Sequence, residues 1–162
     1  MDPIVSAFAQ FIGLNDHLIG KALDGLTEEE AWRLPGADSN PVIWIAGHVA
    51  ASRSALVGAL GGGVDLPWAA RFGQKTQPDQ AAGGPSLGEI RAAIATLTER
   101  LMERLAALTD ADLARAAPRS FPIPDRTVRG MIVFLVYHES YHVGQLAYLR
   151  KWLGYPGVVD GQ

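Results

Sequence analysis

The chain has 162 residues, 48% of them hydrophobic and 19% charged, with a formal net charge of −3 and no cysteine. That is the length of one domain with a single core, and it excludes disulfides, thiolate metal ligands and a cysteine nucleophile. It also excludes a basic stripe for nucleic acid or a polybasic membrane footprint. The N-terminus lacks a basic n-region and no apolar run approaches membrane-spanning length. A soluble cytoplasmic protein is expected, with no nucleic-acid or membrane partner.

Apolar residues recur at helical spacing in four segments, with no strand alternation. The first spans about 3–24, where Ile4, Phe8, Phe11, Ile12, Ile19 and Leu23 form one stripe; Asn15 falls inside it and His17 opposite it. Thr27-Glu-Glu-Glu30 has the form of a capping box opening one short turn. The second long helix is predicted to start at Asn40-Pro41, with Asn as N-cap and proline at the first helical position, and to stop near Leu60 at Gly61-Gly-Gly63. A loop of about two dozen residues follows, carrying Trp68 and Phe72; loops of that length in a compact domain are often functional or mobile. Ser86-Leu-Gly-Glu89 is a second capping box, ahead of the stripe Ile90, Ala93, Ile94, Leu97, Leu101, Leu105 and Leu108. An irregular stretch over 117–125 leads to Thr127, the expected N-cap of a fourth helix reaching about Leu153. The elements predict an all-α fold, a four-helix bundle with long loops, in a single domain over 1–162.

Two of the four histidines lie in Tyr137-His-Glu-Ser-Tyr-His-Val-Gly-Gln145. At 100° per residue, His138 shares a face with Met131, Phe134, Leu135, His142, Gln145, Leu149 and Trp152, so both imidazoles point inward. Residues at i and i+4 are close enough for both rings to reach one ion. Glu139 falls at the flank of that face. On the second helix His48 shares its face with Trp44, Ile45, Ser52, Ala55 and Ala59, so it also looks inward. Three buried imidazoles need their polar atoms satisfied, and one shared metal ion satisfies a nitrogen of each. His17 is expected at the surface.

The pattern His-Glu-x-x-His is also that of zinc proteases, with Glu139 as general base. The extended form of that motif wants Gly and His where this chain has Gln145 and Tyr148. Downstream the sole acidic residue is Asp160, and no predicted strand could align a peptide. The protease reading is poor.

The chain resembles the DinB/YfiT-like superfamily of four-helix-bundle metalloenzymes. The resemblance runs nearly end to end, through Leu23-Asp-Gly-Leu-Thr-Glu-Glu-Glu30, Asn40-Pro-Val-Ile-Trp-Ile-Ala-Gly-His48 and His138-Glu-Ser-Tyr-His-Val-Gly-Gln145. It implies that His48, His138 and His142 bind a divalent metal. Characterised relatives include thiol S-transferases and a thiol-dependent isomerase, which implies a low-molecular-weight thiol as cosubstrate.

Three neutral imidazoles leave an ion with open positions, as in a catalytic site. Zinc or nickel is expected first, and iron or manganese also suit such ligands. The ion would activate a thiol, brought in as cosubstrate, for attack on an electrophilic carbon of a small-molecule substrate; the alternatives are hydrolysis by a metal-activated water and a non-catalytic metal-binding bundle. Glu139 is a candidate base, and Asn15, Gln145 and Tyr141 are candidates to orient ligands or substrate. Arg119, Arg126 and Arg129 form a basic cluster that would suit an acidic cosubstrate. Small or apolar residues at Val136, Ser140, Val143, Gly144 and Ala147, and at Ala46, Ala50, Ser54 and Val57, oppose the histidine faces, and a homodimer through them is expected.

Overall fold

The computed structural model describes residues 3–159; Met1, Asp2 and residues 160–162, Asp160 among them, lie outside the described residues. Six α-helices follow in order: α1 (Pro3–Leu23), α2 (Glu28–Ala31), α3 (Val42–Ala59), α4 (Leu87–Ala106), α5 (Asp110–Ala114) and α6 (Val128–Trp152). No strand is formed among the described residues, beyond one isolated bridge between Ala116 and Thr127.

The starts of these helices are written in side chains. Thr27 and Ser86 close the expected capping boxes with Glu30 and Glu89, and Thr127 accepts from the Gly130 amide. The start of α3 is displaced by one residue. Pro41 is the cap, no side chain caps it, and its carbonyl takes the Ile45 amide. α5 was not foreseen, although Thr109 and Asp112 form a third capping box at its start. Two 3-10 turns, Ala69–Phe72 and Pro78–Ala81, break up the long loop.

The four long helices close a ring in which α1 and α3 each lie beside both α4 and α6. Hydrogen bonds fix their directions. Asn15 meets Ser140 and the Ala22 carbonyl meets Arg150, so α1 and α6 are parallel. Arg53 meets Thr98 and the Leu60 carbonyl meets Arg104, so α3 and α4 are parallel too. α1 runs against α4, since Asp16 pairs with Thr98 and the Leu23 carbonyl with Arg91. Parallel neighbours require a long return connection, and this is the physical reason for the length of the segment between α3 and α4.

α3 lies between α4 and α6 with the Ala69–Phe72 turn also packed on it, and every residue from 42 to 50 is buried. By length and hydropathy this one helix would also suit a membrane span, contrary to expectation from the sequence, but most of it is buried inside the chain. Its all-round apolar surface is accounted for by neighbours on every side. The same packing covers part of the faces assigned to a second copy. Val136, Val143, Ala46, Ala50 and Val57 are all buried within the chain, the helix-6 pair on the side where α1 packs. Ser140 and Gly144 of the same faces are exposed, and Ser54 and Ala147 are half-buried. The large apolar residues that α1 exposes are Ile4, Phe11 and Leu14, two of them from the stripe read in the sequence.

Candidate metal centre

α3 and α6 bring the three predicted histidines together. The Nε2 of His138 lies 3.3 Å from that of His48 and 3.2 Å from that of His142. One ligating nitrogen from each ring fits within 4.8 Å of the others. Two imidazole nitrogens each about 2.1 Å from a common ion would be roughly 3.0 Å apart at a right angle and roughly 3.4 Å apart at a tetrahedral angle. Both of these separations fall between the two limits, and the three rings form a group that could hold a metal ion.

The outer nitrogens decide which way the lone pairs face. His48 Nδ1 donates to the Phe72 carbonyl at 2.6 Å, and His142 Nδ1 donates to the Gln145 side-chain oxygen at 2.6 Å. A carbonyl oxygen can only accept, so both rings carry their proton on Nδ1 and present a bare Nε2 to the centre. Bare nitrogens facing one another repel unless a cation or a proton lies between them. His138 Nδ1 is buried and has no hydrogen-bond partner.

All this favours neutral rings, the form that ligates a metal. Burial lowers the His142 pKa from 6.5 to about 4, opposed by its bond to Gln145 and reinforced by the two other imidazoles. Burial likewise lowers that of His138, helped by His48 and by the positive charge of Arg119.

The loop before α4 does more than line the site. Phe72 is fully buried, and its ring packs so closely on Gly47 that a Cβ there would overlap it. Trp44 stacks flat on His48 at 5.1 Å and donates its indole N–H to Thr76. These contacts hold the Phe72 carbonyl against His48. Trp68 stands edge-on to Phe72, with ring centroids 5.5 Å apart. The other wall comes from the stretch before α6, with Arg119, Ser120, Phe121 and Pro122. Between them lies an open cavity of about 520 Å³ with His48 and His138 in its lining, a volume in the range of small-molecule sites.

The remaining candidates divide. Gln145 orients His142 as expected, and its amide N–H reaches the Tyr141 hydroxyl at 3.4 Å. Tyr141 is exposed and sets its ring edge against His142. Asn15 is buried but faces elsewhere, exchanging hydrogen bonds with Ser140 between α1 and α6. It orients no histidine. Glu139 does not face the centre either. Both its oxygens accept from Arg53, at 2.9 and 2.8 Å, and a carboxylate gripped in this way is no free base. His17 is exposed, as expected.

Arg53 was not singled out from the sequence. It is completely buried and bonds Glu139 on α6, Asp16 on α1 and Thr98 on α4. Burial opposes its charge, but the two carboxylates outweigh that and raise its pKa, Glu139 most. A signal was available: Arg53 is the one charged residue in the otherwise uncharged run 42–59. A lone charge in a helix apolar on all sides has to be paired in the interior.

The family model of the DinB superfamily matches residues 16–146, which includes all three histidines, and the chain belongs to that superfamily. The crystal structure of a conserved protein from Enterococcus faecalis shares the fold, with a TM-score of 0.73 at 18% identity over 97% of each chain. Comparison with curated proteins gives no match.

Proposed function

We propose that the protein is a metal-dependent enzyme of thiol-transferase type, acting on a small electrophile with a low-molecular-weight thiol as cosubstrate. His48, His138 and His142 would hold one divalent ion, zinc or nickel before iron or manganese. The observation that carries this is the convergence of three Nε2 atoms, two of them oriented by acceptors on Nδ1, beside an open cavity. A purely structural metal site would be closed by protein ligands.

A divalent ion there supplies positive charge that favours the ionised form of a thiol. The protein's own part is to keep His138 and His142 neutral, to aim His48 and His142 through their Nδ1 acceptors, and to admit the electrophile through the cavity. In the reaction the S–H bond breaks and its proton passes to solvent, because Glu139 is engaged by Arg53. The sulfur then bonds to the electrophilic carbon, and that carbon's leaving group departs with the bonding pair.

The test is metal content by mass spectrometry on tag-free protein and on a His48→Ala variant, followed by thiol consumption assays. About one divalent ion per chain, lost in the variant, with thiol turnover that follows the metal, is the expected result. Protein that neither carries nor takes up zinc or nickel would sink the reading. Hydrolysis of esters or amides without any thiol would replace it with a hydrolase.

A further inference from the structure

Of the three arginines grouped by the sequence, the structure separates one. Arg126 gives its guanidinium to the Phe121 carbonyl at 2.5 Å, and Arg129 is not in the cavity lining. Arg119 lines the same cavity as His48 and His138. Its guanidinium lies over the Phe121 ring, 4.9 Å from the centroid, and among the described residues it has no ion-pair partner. No Asp or Glu lines the cavity to neutralise it.

Ser52, Gln74 and Ser120 are the uncharged polar side chains of the wall, and the stretch between Arg119 and the histidines is apolar and partly aromatic. Phe134 packs against Phe121 at 5.3 Å and against His138 at 6.0 Å, so a row of rings leads from Arg119 to the histidines. Ala51, Ala55 and Leu135 continue the apolar surface. An uncompensated guanidinium whose planar fork matches a carboxylate, at one end of an apolar cavity, defines a ligand by its chemistry. We infer that the cavity takes a small molecule with an apolar, planar body and a single carboxylate. The carboxylate sits on Arg119, the body lies along Phe121 and Phe134, and the far end is presented to His48 and His138. The inference rests on the proposed reading for what happens at that far end, and on the cavity alone for binding.

The carboxylate belongs either to the electrophile or to the thiol, and paired probes tell the two apart. Metal-saturated and metal-free protein would be titrated calorimetrically with 3-phenylpropionate and its amide, and with 3-mercaptopropionate and 2-mercaptoethanol. Wild type and Arg119→Gln would be compared, the exposed site leaving the fold and metal content unchanged. At least one carboxylate probe should bind about tenfold or more tighter than its neutral partner, with that preference lost in Arg119→Gln. Loss with the aryl acid places the carboxylate on the electrophile, and loss with the thiol acid places it on the cosubstrate. No preference in wild type, or a preference that survives Arg119→Gln, would overturn the inference. A preference that needs the metal and ignores Arg119 would do the same, since the carboxylate would then be held at the ion. Because the metal-free arm reads Arg119 alone, failure of the metal site leaves this outcome legible.

Discussion

Gln145 shows how much one side chain contributes to a site it never enters. Its oxygen fixes the proton of His142 on Nδ1 and leaves Nε2 bare. Partners in this position typically contribute 10–100-fold in metal affinity. Gln145→Leu is therefore expected to weaken zinc binding by roughly that factor in a competition titration with a chromophoric chelator; an unchanged affinity would show that His142 is held by packing alone. The depressed His142 pKa has its own consequence for the metal-free protein. Folded, the ring takes a proton only near pH 4, whereas unfolded it does so near 6.5. Below 6.5 the unfolded chain binds the proton first, so stability is complete above that pH and declines as pH falls towards 4. His138 shifts in the same direction. The urea midpoint of metal-free protein should be lower at about pH 5.5 than at about pH 7.5, a range above that of the carboxylates with lowered pKa. An equal or higher midpoint at the lower pH would contradict the burial of these rings.

At the scale of elements, the site depends on a loop being pinned to a helix. Gly47 is the contact point, because only a residue without a side chain leaves room for the Phe72 ring. Gly47→Ala forces the ring outward, at about 1–3 kcal/mol, and takes the Phe72 carbonyl away from His48. The expected outcome is a lowered Tm together with weaker metal binding, read by thermal unfolding with and without zinc. A lowered Tm with intact metal affinity would mean that His48 does not need that acceptor. This element also marks the limit of what the sequence discloses. The stripes and the capping boxes at Thr27 and Ser86 were legible because local physics writes them locally. So was the shared direction of the three histidines, since a helical wheel gives the direction of a side chain. Phe72 contributes through its backbone, which has no signature in residue type. Glu139 was misread because the wheel places it on a flank without saying which helix, or which charge, lies opposite. Asn15 faces inward as predicted, but towards Ser140 on the far side of α6.

Across the whole molecule, Arg53 joins its own helix to the three others through Glu139, Asp16 and Thr98. Removing one member of a buried pair leaves the other charge without compensation, which typically costs about 3–5 kcal/mol. Arg53→Met should lower the unfolding free energy by about that amount, and Arg53→Met with Glu139→Met should restore much of it, since Asp16 is one-third exposed. Chemical denaturation of both variants decides the matter. A double variant no better than the single one would mean that the pair also specifies the packing of the helices.

The parallel course of α3 and α4 obliges the chain to cross back outside the bundle, and that crossing carries Ala69, Ala70, Gly73 and Gln74 along the rim of the cavity. The three histidines and these rim residues are thus carried by different parts of the molecule. Exchange at the rim would reshape what the cavity admits while the histidines stay in place on their helices. Phe72 is the exception, a residue of the crossing whose carbonyl is engaged by His48.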